Sequence, residues 1–186
     1  VCTGNVCRSP FAEFLTRHLF AERLRPEDAA RFSVASAGIR AAVGARMDSA
    51  TRAELPRWGV PGTAADDHVA RQLDQPTAAA ADLVLTADRA HRAHVVGLRS
   101  VALRTTFCLR EFSRLLASVT LDPAERDPVR RARLAVAATS LARGSVPPVS
   151  PADDAVPDPV GLPREAHFLS CALIGTALRT SLRVLE

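Results

Sequence analysis

Apolar positions along the chain switch repeatedly between two periods. Phe11, Phe14, Leu15, Leu19 and Phe20 recur at helical spacing and predict a helix over Pro10 to Arg25, with Pro10 suited to a first turn. Arg31 to Ser36 reads as a short strand ended by Ala37-Gly38. Asp48 to Trp58 reads as a helix in spite of Pro56, capped by Asp48 and stopped near Gly59. Ala81 to Thr86 is an apolar run of strand length, and Asp88 to Val96 is helical. Val101 to Leu103 is the next expected strand, continuing within Ser100 to Leu109, and Arg110 to Ser118 the helix after it. In the last segment, Pro163 to Leu185, residues Ala166, Leu169, Leu173, Ala177 and Leu178 share a helical face. Thr120 to Pro157 differs: an Ala/Arg helix near Val129 to Arg143 runs into a Pro-rich loop. Strands alternating with helices predict an α/β fold with a mainly parallel sheet.

Composition narrows the class. A chain of 186 residues suits one domain, and 47% hydrophobic with 24% charged residues excludes global disorder. Uncharged apolar runs fall short of the roughly 18 residues of a membrane span, so no membrane partner is expected. Val1 is followed at once by polar residues, so no signal peptide is read; without a starting Met the chain reads as a fragment. All 24 basic residues are Arg and the net charge is +4, a weak bias toward anionic ligands. They are scattered and lack an aromatic-plus-basic signature, so nucleic acid is not an expected partner. Four cysteines are too few for a disulfide scaffold and lack zinc-site spacing. Reduced thiols in a cytoplasmic setting, with no metal and no cofactor, are the expectation. Cys108 and Cys171 are expected in the core.

The chemistry concentrates in the opening segment, Cys2-Thr3-Gly4-Asn5-Val6-Cys7-Arg8-Ser9-Pro10, which leads directly into a helix. Successive N–H groups of such a loop can converge on phosphate oxygens, and the helix N-terminus adds unpaired donors. Arg8 can fork onto two oxygens. That field favours the thiolate of Cys2, which can attack phosphorus in line.

This segment resembles the signature loop of the low-molecular-weight protein tyrosine phosphatase family. Ser36-Ala37-Gly38, Met47-Asp48, His68-Val69-Ala70-Arg71-Gln72-Leu73, Ala81 to Thr86 and Asp158-Pro159 resemble its later motifs, in the same order. The resemblance implies a single phosphatase domain over 1–186 with an insertion at about 120–155. Its sheet would be four-stranded, mainly parallel and twisted, with helices on both faces. The loop would follow a first strand of which only Val1 is present. Cys2 would be the nucleophile, Arg8 the phosphate clamp and Asp158 the general acid, then base. Thr3, Gly4, Asn5, Val6, Cys7 and Ser9 would line the phosphate, with Ser9 bonded to the Cys2 sulfur. Ser36 would hold Asn5, with His68 in the same network. Cys7 could trap oxidised Cys2 as a disulfide. The substrate would be a phosphotyrosine protein or small aryl phosphate, and inorganic phosphate a product.

Two departures bear on specificity. Val160-Gly161 follows the acid motif where the family commonly has an aromatic residue, and Ile39 to Gly44 lacks the Trp many members carry. Both aromatics would wall the cleft against a phenyl ring. Rival readings are arsenate reduction, protein-arginine phosphatase activity and a non-catalytic phosphoprotein-binding module. Arg71 to Val101 contains no Cys for an arsenate relay, Val6 stands where the arginine branch has Thr, and pure binding needs neither nucleophile nor acid. Asp153 and Asp154 compete with Asp158 for the acid role, while His91, His94 and His167 show no partners in the sequence.

Overall fold

The first helix of the computed structural model, which describes residues 1–185, starts earlier than the periodicity predicts. Helix α1 spans Arg8–Arg23, so the loop from Cys2 meets the helix with no linker. Its Phe11, Phe14, Leu15 and Leu19 are buried, each contributing roughly 1.5–3 kcal/mol on leaving water. A short α2, Pro26–Ala29, follows.

The strand expected over Arg31 to Ser36 does not form. That segment is extended but unpaired, and the Arg17 guanidinium takes the Val34 carbonyl that a neighbouring strand would use (2.7 Å). Pairing falls instead on Gly38, which bridges Cys2 on one side and Gln72 on the other, both in parallel. The helix expected over Asp48 to Trp58 is broken in two. Asp48 caps α3, Ser49–Arg52, by accepting from the Thr51 N–H. Pro56 has no N–H to continue it, and Leu55–Trp58 forms a 3₁₀ turn ended by Gly59 at φ +85°.

Next come α4, Gln75–Ala80, strand β1, Val84–Thr86, and α5, Arg89–Leu98, capped by Asp88. The strand expected at Val101 to Leu103 lies elsewhere. Val101 and Leu103 are more than half exposed in the 3₁₀ turn Ser100–Arg104, whereas Thr106, Phe107 and Cys108 are fully buried and form β2, Thr106–Cys108. β1 and β2 pair in parallel, with Leu85 opposite Phe107. The sheet layer continues through backbone bonds. Val1 accepts from the Ala87 N–H (2.9 Å), Cys2 donates to Ala37 and accepts from Ile39, and Gly38 bonds Arg71 and Leu73. The result is an α/β fold whose layer runs from β2 through β1 and the Val1-Cys2 segment to Gly38.

Helices α6, Leu109–Leu116, α7, Pro128–Ala142, α8, Pro151–Asp154, and α9, Arg164–Leu182, complete the chain. α9 packs on α1 and α6, and α7 on α6. By length and composition the stretch Arg164–Leu185 could cross a membrane, unlike the shorter runs counted in the sequence. Here one face of it packs into the core, with Cys171, Ile174 and Leu178 buried beside α1, while Phe168 and Leu169 are exposed. A Cβ at Gly175 would stand 2.2 Å from the Trp58 ring, so that indole requires glycine beneath it.

Candidate active site

The loop from Cys2 to Arg8 has all its carbonyls turned away from the space that it encloses. Cys2, Thr3 and Gly4 accept from the N–H groups of Ile39, Arg40 and Ala42, Val6 from Asp48 and Cys7 from Phe11, all at 2.9–3.1 Å. The Asn5 carbonyl accepts from His68 Nε2 (2.9 Å), which fixes that nitrogen as the protonated one. Among the described residues, no N–H from Thr3 to Arg8 donates within the chain. Six consecutive donors without acceptors, at the mouth of a 16-residue helix, form an anion cradle. Gly38 permits this closeness: a Cβ there would meet the Thr3 carbonyl oxygen at 2.4 Å.

Asn5 pins the loop from within. It is fully buried at φ +58°, a region that costs other L-residues roughly 1–2 kcal/mol. Its Nδ2 donates to Ser9 Oγ (2.9 Å) and Ser36 Oγ (2.8 Å), and its Oδ1 accepts from the Arg71 N–H (2.9 Å). The Ser36 hydroxyl in turn donates to the buried carboxylate of Glu13 (2.6 Å). Ser9 Oγ lies 3.0 Å from Cys2 Sγ, a contact in which either atom can donate, and 3.5 Å from the Ala37 carbonyl, to which it can donate. Thus Cys2, Asn5, Ser9, Ser36 and His68 come together as one network.

Arg8 is buried at the helix start. It donates to the Val156 carbonyl (3.1 Å), to Thr3 Oγ1 (3.4 Å) and to Asp158 Oδ2 (2.5 Å), 150 residues away. Its buried Nε has no partner among the described residues, a donor still unused at the cradle. The other two acidic candidates are engaged elsewhere. Asp154 is buried between Arg89 (2.6 Å) and Arg114 (3.2 Å), and Asp153 accepts from the Ser150 hydroxyl (2.9 Å) in the capping box of α8. Asp158 alone of the three reaches Arg8, with its side chain 45% exposed.

Several participants have no motif of their own. His91 lies beside the cradle, Nε2 2.9 Å from Thr3 Oγ1 and Nδ1 2.6 Å from Asp88. Burial pushes its pKa down and outweighs the Asp88 charge, so neutral imidazole is favoured. The readable signal was Asp88, a cap three residues ahead on the same helix. The roles of Glu13 and the Val156 carbonyl arise only from tertiary contact.

Cys7 occupies the N-cap position, buried, with its thiol pushed up to about 12 by desolvation. Cys108 and Cys171 are core residues, as expected, and burial raises both. Cys7, Asp48 and His167 offer ligand atoms within 4.8 Å of one another, close enough to hold a metal ion. His167 Nδ1 already has Thr51 Oγ1 at 2.7 Å and Asp48 at 3.3 Å, so the group is satisfied without one.

A family profile described as low molecular weight phosphotyrosine protein phosphatase matches residues 1–131. The probable low molecular weight protein-tyrosine-phosphatase AmsI of Erwinia amylovora is 35% identical over 91 residues, 49% of this chain and 55% of its own length. The low molecular weight protein-tyrosine phosphatase A of Mycobacterium tuberculosis is 36% identical over 125 residues, 66% of this chain and 70% of its own. The chain thus spans little more than half of the AmsI relative. Among solved structures, Erwinia amylovora tyrosine phosphatase AmsI superposes with a TM-score of 0.66 at 22% identity, covering 100% of this chain and 90% of that one. The YwlE arginine phosphatase of Geobacillus stearothermophilus gives 0.65 at 24%, covering 98% and 87%. At such identities the likeness concerns the fold.

Proposed function

The chain belongs to the low molecular weight phosphotyrosine protein phosphatase family, and from that premise we propose that it is a phosphomonoester hydrolase acting on phosphotyrosine proteins or small aryl phosphates. The observation that carries this reading is the convergence of Cys2, Arg8 and Asp158 on a loop with six unused N–H donors. The cradle amides, lined by Thr3, Gly4, Val6 and Cys7, and the Arg8 fork hold the phosphoryl oxygens. Cys2 sulfur attacks phosphorus opposite the ester oxygen. Asp158, released from Arg8 by the incoming dianion, takes up the proton that the Cys2 thiol gives up on ionising and passes it to the leaving oxygen. The sulfur–phosphorus bond is then broken by water that Asp158 deprotonates, and inorganic phosphate leaves. Ser9 stabilises the sulfur as nucleophile and again as leaving group. Arg8 and the amides neutralise the developing charge, so this route needs no metal and no cofactor.

Residues 1–186 are read as one phosphatase domain with an insertion at about 120–155, because Ala135 and Val136 of α7 share a cluster with Phe107 and Phe112. A four-stranded, mainly parallel sheet is proposed, since the bonds joining Gly38, Cys2, β1 and β2 follow one layer. Four unpaired, buried thiols favour a reducing, cytoplasmic setting.

The test is hydrolysis of para-nitrophenyl phosphate and of phosphotyrosine and phosphoarginine peptides, without added metal, beside Cys2→Ser. Turnover that vanishes in the variant and is blocked by vanadate supports the reading. Folded, reduced protein that turns over none of these would overturn it, and a preference for phosphoarginine would move the substrate.

A further inference from the structure

On another face, α5, the 3₁₀ turn after it, α6, the end of α7 and the segment leading into α8 line an open cleft of about 530 Å³, within the range of small-molecule sites. Arg89, Arg92, Arg104, Arg114 and Arg143 line it. The acidic residues lining it are Glu111 and Asp154, both buried. Glu111 is shared by Arg92 (2.7 Å) and Arg143 (3.0 Å), and Asp154 by Arg89 and Arg114. Five guanidiniums against two carboxylates leave three positive charges uncompensated in a concavity, where low-dielectric walls focus the field.

Donors remain to use that charge. Arg92 reaches Glu111 through one terminal nitrogen only. Arg114 Nε is buried and has no partner among the described residues. Arg104 makes no hydrogen bond or ion pair among them and is exposed at the rim. The Ser140 hydroxyl lines the same space, and Leu103, Leu115, Val146 and Pro148 add an apolar wall. A monoanion would neutralise one of three charges; a linear chain of phosphates matches all of them, and guanidiniums suit its oxygens.

We propose that this cleft binds a small molecule carrying a di- or triphosphate chain. Much of it is built by the region from 128 to 154, which gives that insertion a ligand-binding task apart from the Cys2 loop. The inference is independent of the catalytic reading.

The experiment is titration calorimetry on the whole chain saturated with vanadate, so that the Cys2 loop is filled. The probes are inorganic tripolyphosphate, ATP and orthophosphate. One tripolyphosphate or ATP per chain should bind, at least tenfold weaker in Arg104→Glu and unchanged in Arg126→Glu, an exposed site outside the cavity. Equal affinity for the first two means that the phosphate chain is read alone; tighter ATP means that a nucleoside rests on the apolar wall. The proposal is overturned by no binding, by orthophosphate binding as well as tripolyphosphate, or by equal losses in both variants. Circular dichroism of Arg104→Glu checks that it folds.

Discussion

Replacing Asn5 by alanine should cost about 4–5 kcal/mol of stability, and the figure follows from what each partner has left. Ala at φ +58° bears roughly 1–2 kcal/mol of left-handed strain. The Arg71 N–H loses its acceptor at a part-buried position, a loss of about 1 kcal/mol, the net value of a hydrogen bond. Ser36 Oγ keeps Glu13, and Ser9 Oγ keeps Cys2, so those two losses fall nearer the net value of about 1 kcal/mol for a hydrogen bond. Asn5→Gly removes the left-handed strain but none of the hydrogen-bond loss, and should be the more stable variant by up to about 1 kcal/mol. Urea unfolding with linear extrapolation measures both, and para-nitrophenyl phosphate turnover should fall more than tenfold in each. If alanine costs under about 0.5 kcal/mol, the scatter of ordinary surface substitutions, or if glycine is no better than alanine, the pinning argument is wrong.

Asp158→Asn should lower turnover by roughly 10²–10⁴-fold with stability little changed, while Asp154→Asn should lower the urea midpoint first; reversed phenotypes would move the acid to Asp154. Cys7 and Cys108, raised to about 12 and about 11, hold their protons in the folded chain after the unfolded chain has lost them. Their stabilisation is complete below pH about 9 and falls as pH rises through the folded values, by up to about 1.4 kcal/mol per thiol per pH unit. Urea midpoints should therefore drop between pH 9 and 11, and flat midpoints would contradict that burial. Gly38→Ala should abolish turnover, because its Cβ meets backbone that cannot rotate away, whereas Gly175→Ala should cost about 1–3 kcal/mol of packing and leave kcat nearly intact.

What could be read from the sequence depended on whether the signal was local. The Cys2 to Arg8 loop, the cap Asp48 and the helix beginning at Asp88 are short-range patterns, and each sits where its residues predict. Strands were read less well because pairing is not local. Arg31 to Ser36 has the right composition, yet Arg17 occupies the Val34 carbonyl and the pairing shifts to Gly38. Val101 and Leu103 looked like a strand, but Thr106 to Cys108 are the residues that lie inside. The cationic cleft left no mark at all, since its five arginines come from two helices and two connections among many scattered arginines.

The pairing of Arg8 with Asp158 bears on how one carboxylate could serve two steps of the proposed reaction. The guanidinium cannot give the same donor to a phosphate and to Asp158, so a dianion in the cradle displaces the half-exposed carboxylate. Asp158 then stays close for a covalent reason. Val156, two residues back, is held on both sides, its N–H by the Ala87 carbonyl (2.8 Å) and its carbonyl by Arg8 (3.1 Å). Two residues of chain span at most about 7 Å, so the freed carboxylate ranges over little more than the ester oxygen and the water that follows it. Asp154, bridged by Arg89 and Arg114, and Arg110 on the Ala152 and Ala155 carbonyls hold the approach to that tether. Releasing Asp158 at one end while keeping Val156 fixed at the other lets the same group donate a proton and then recover one without leaving the site.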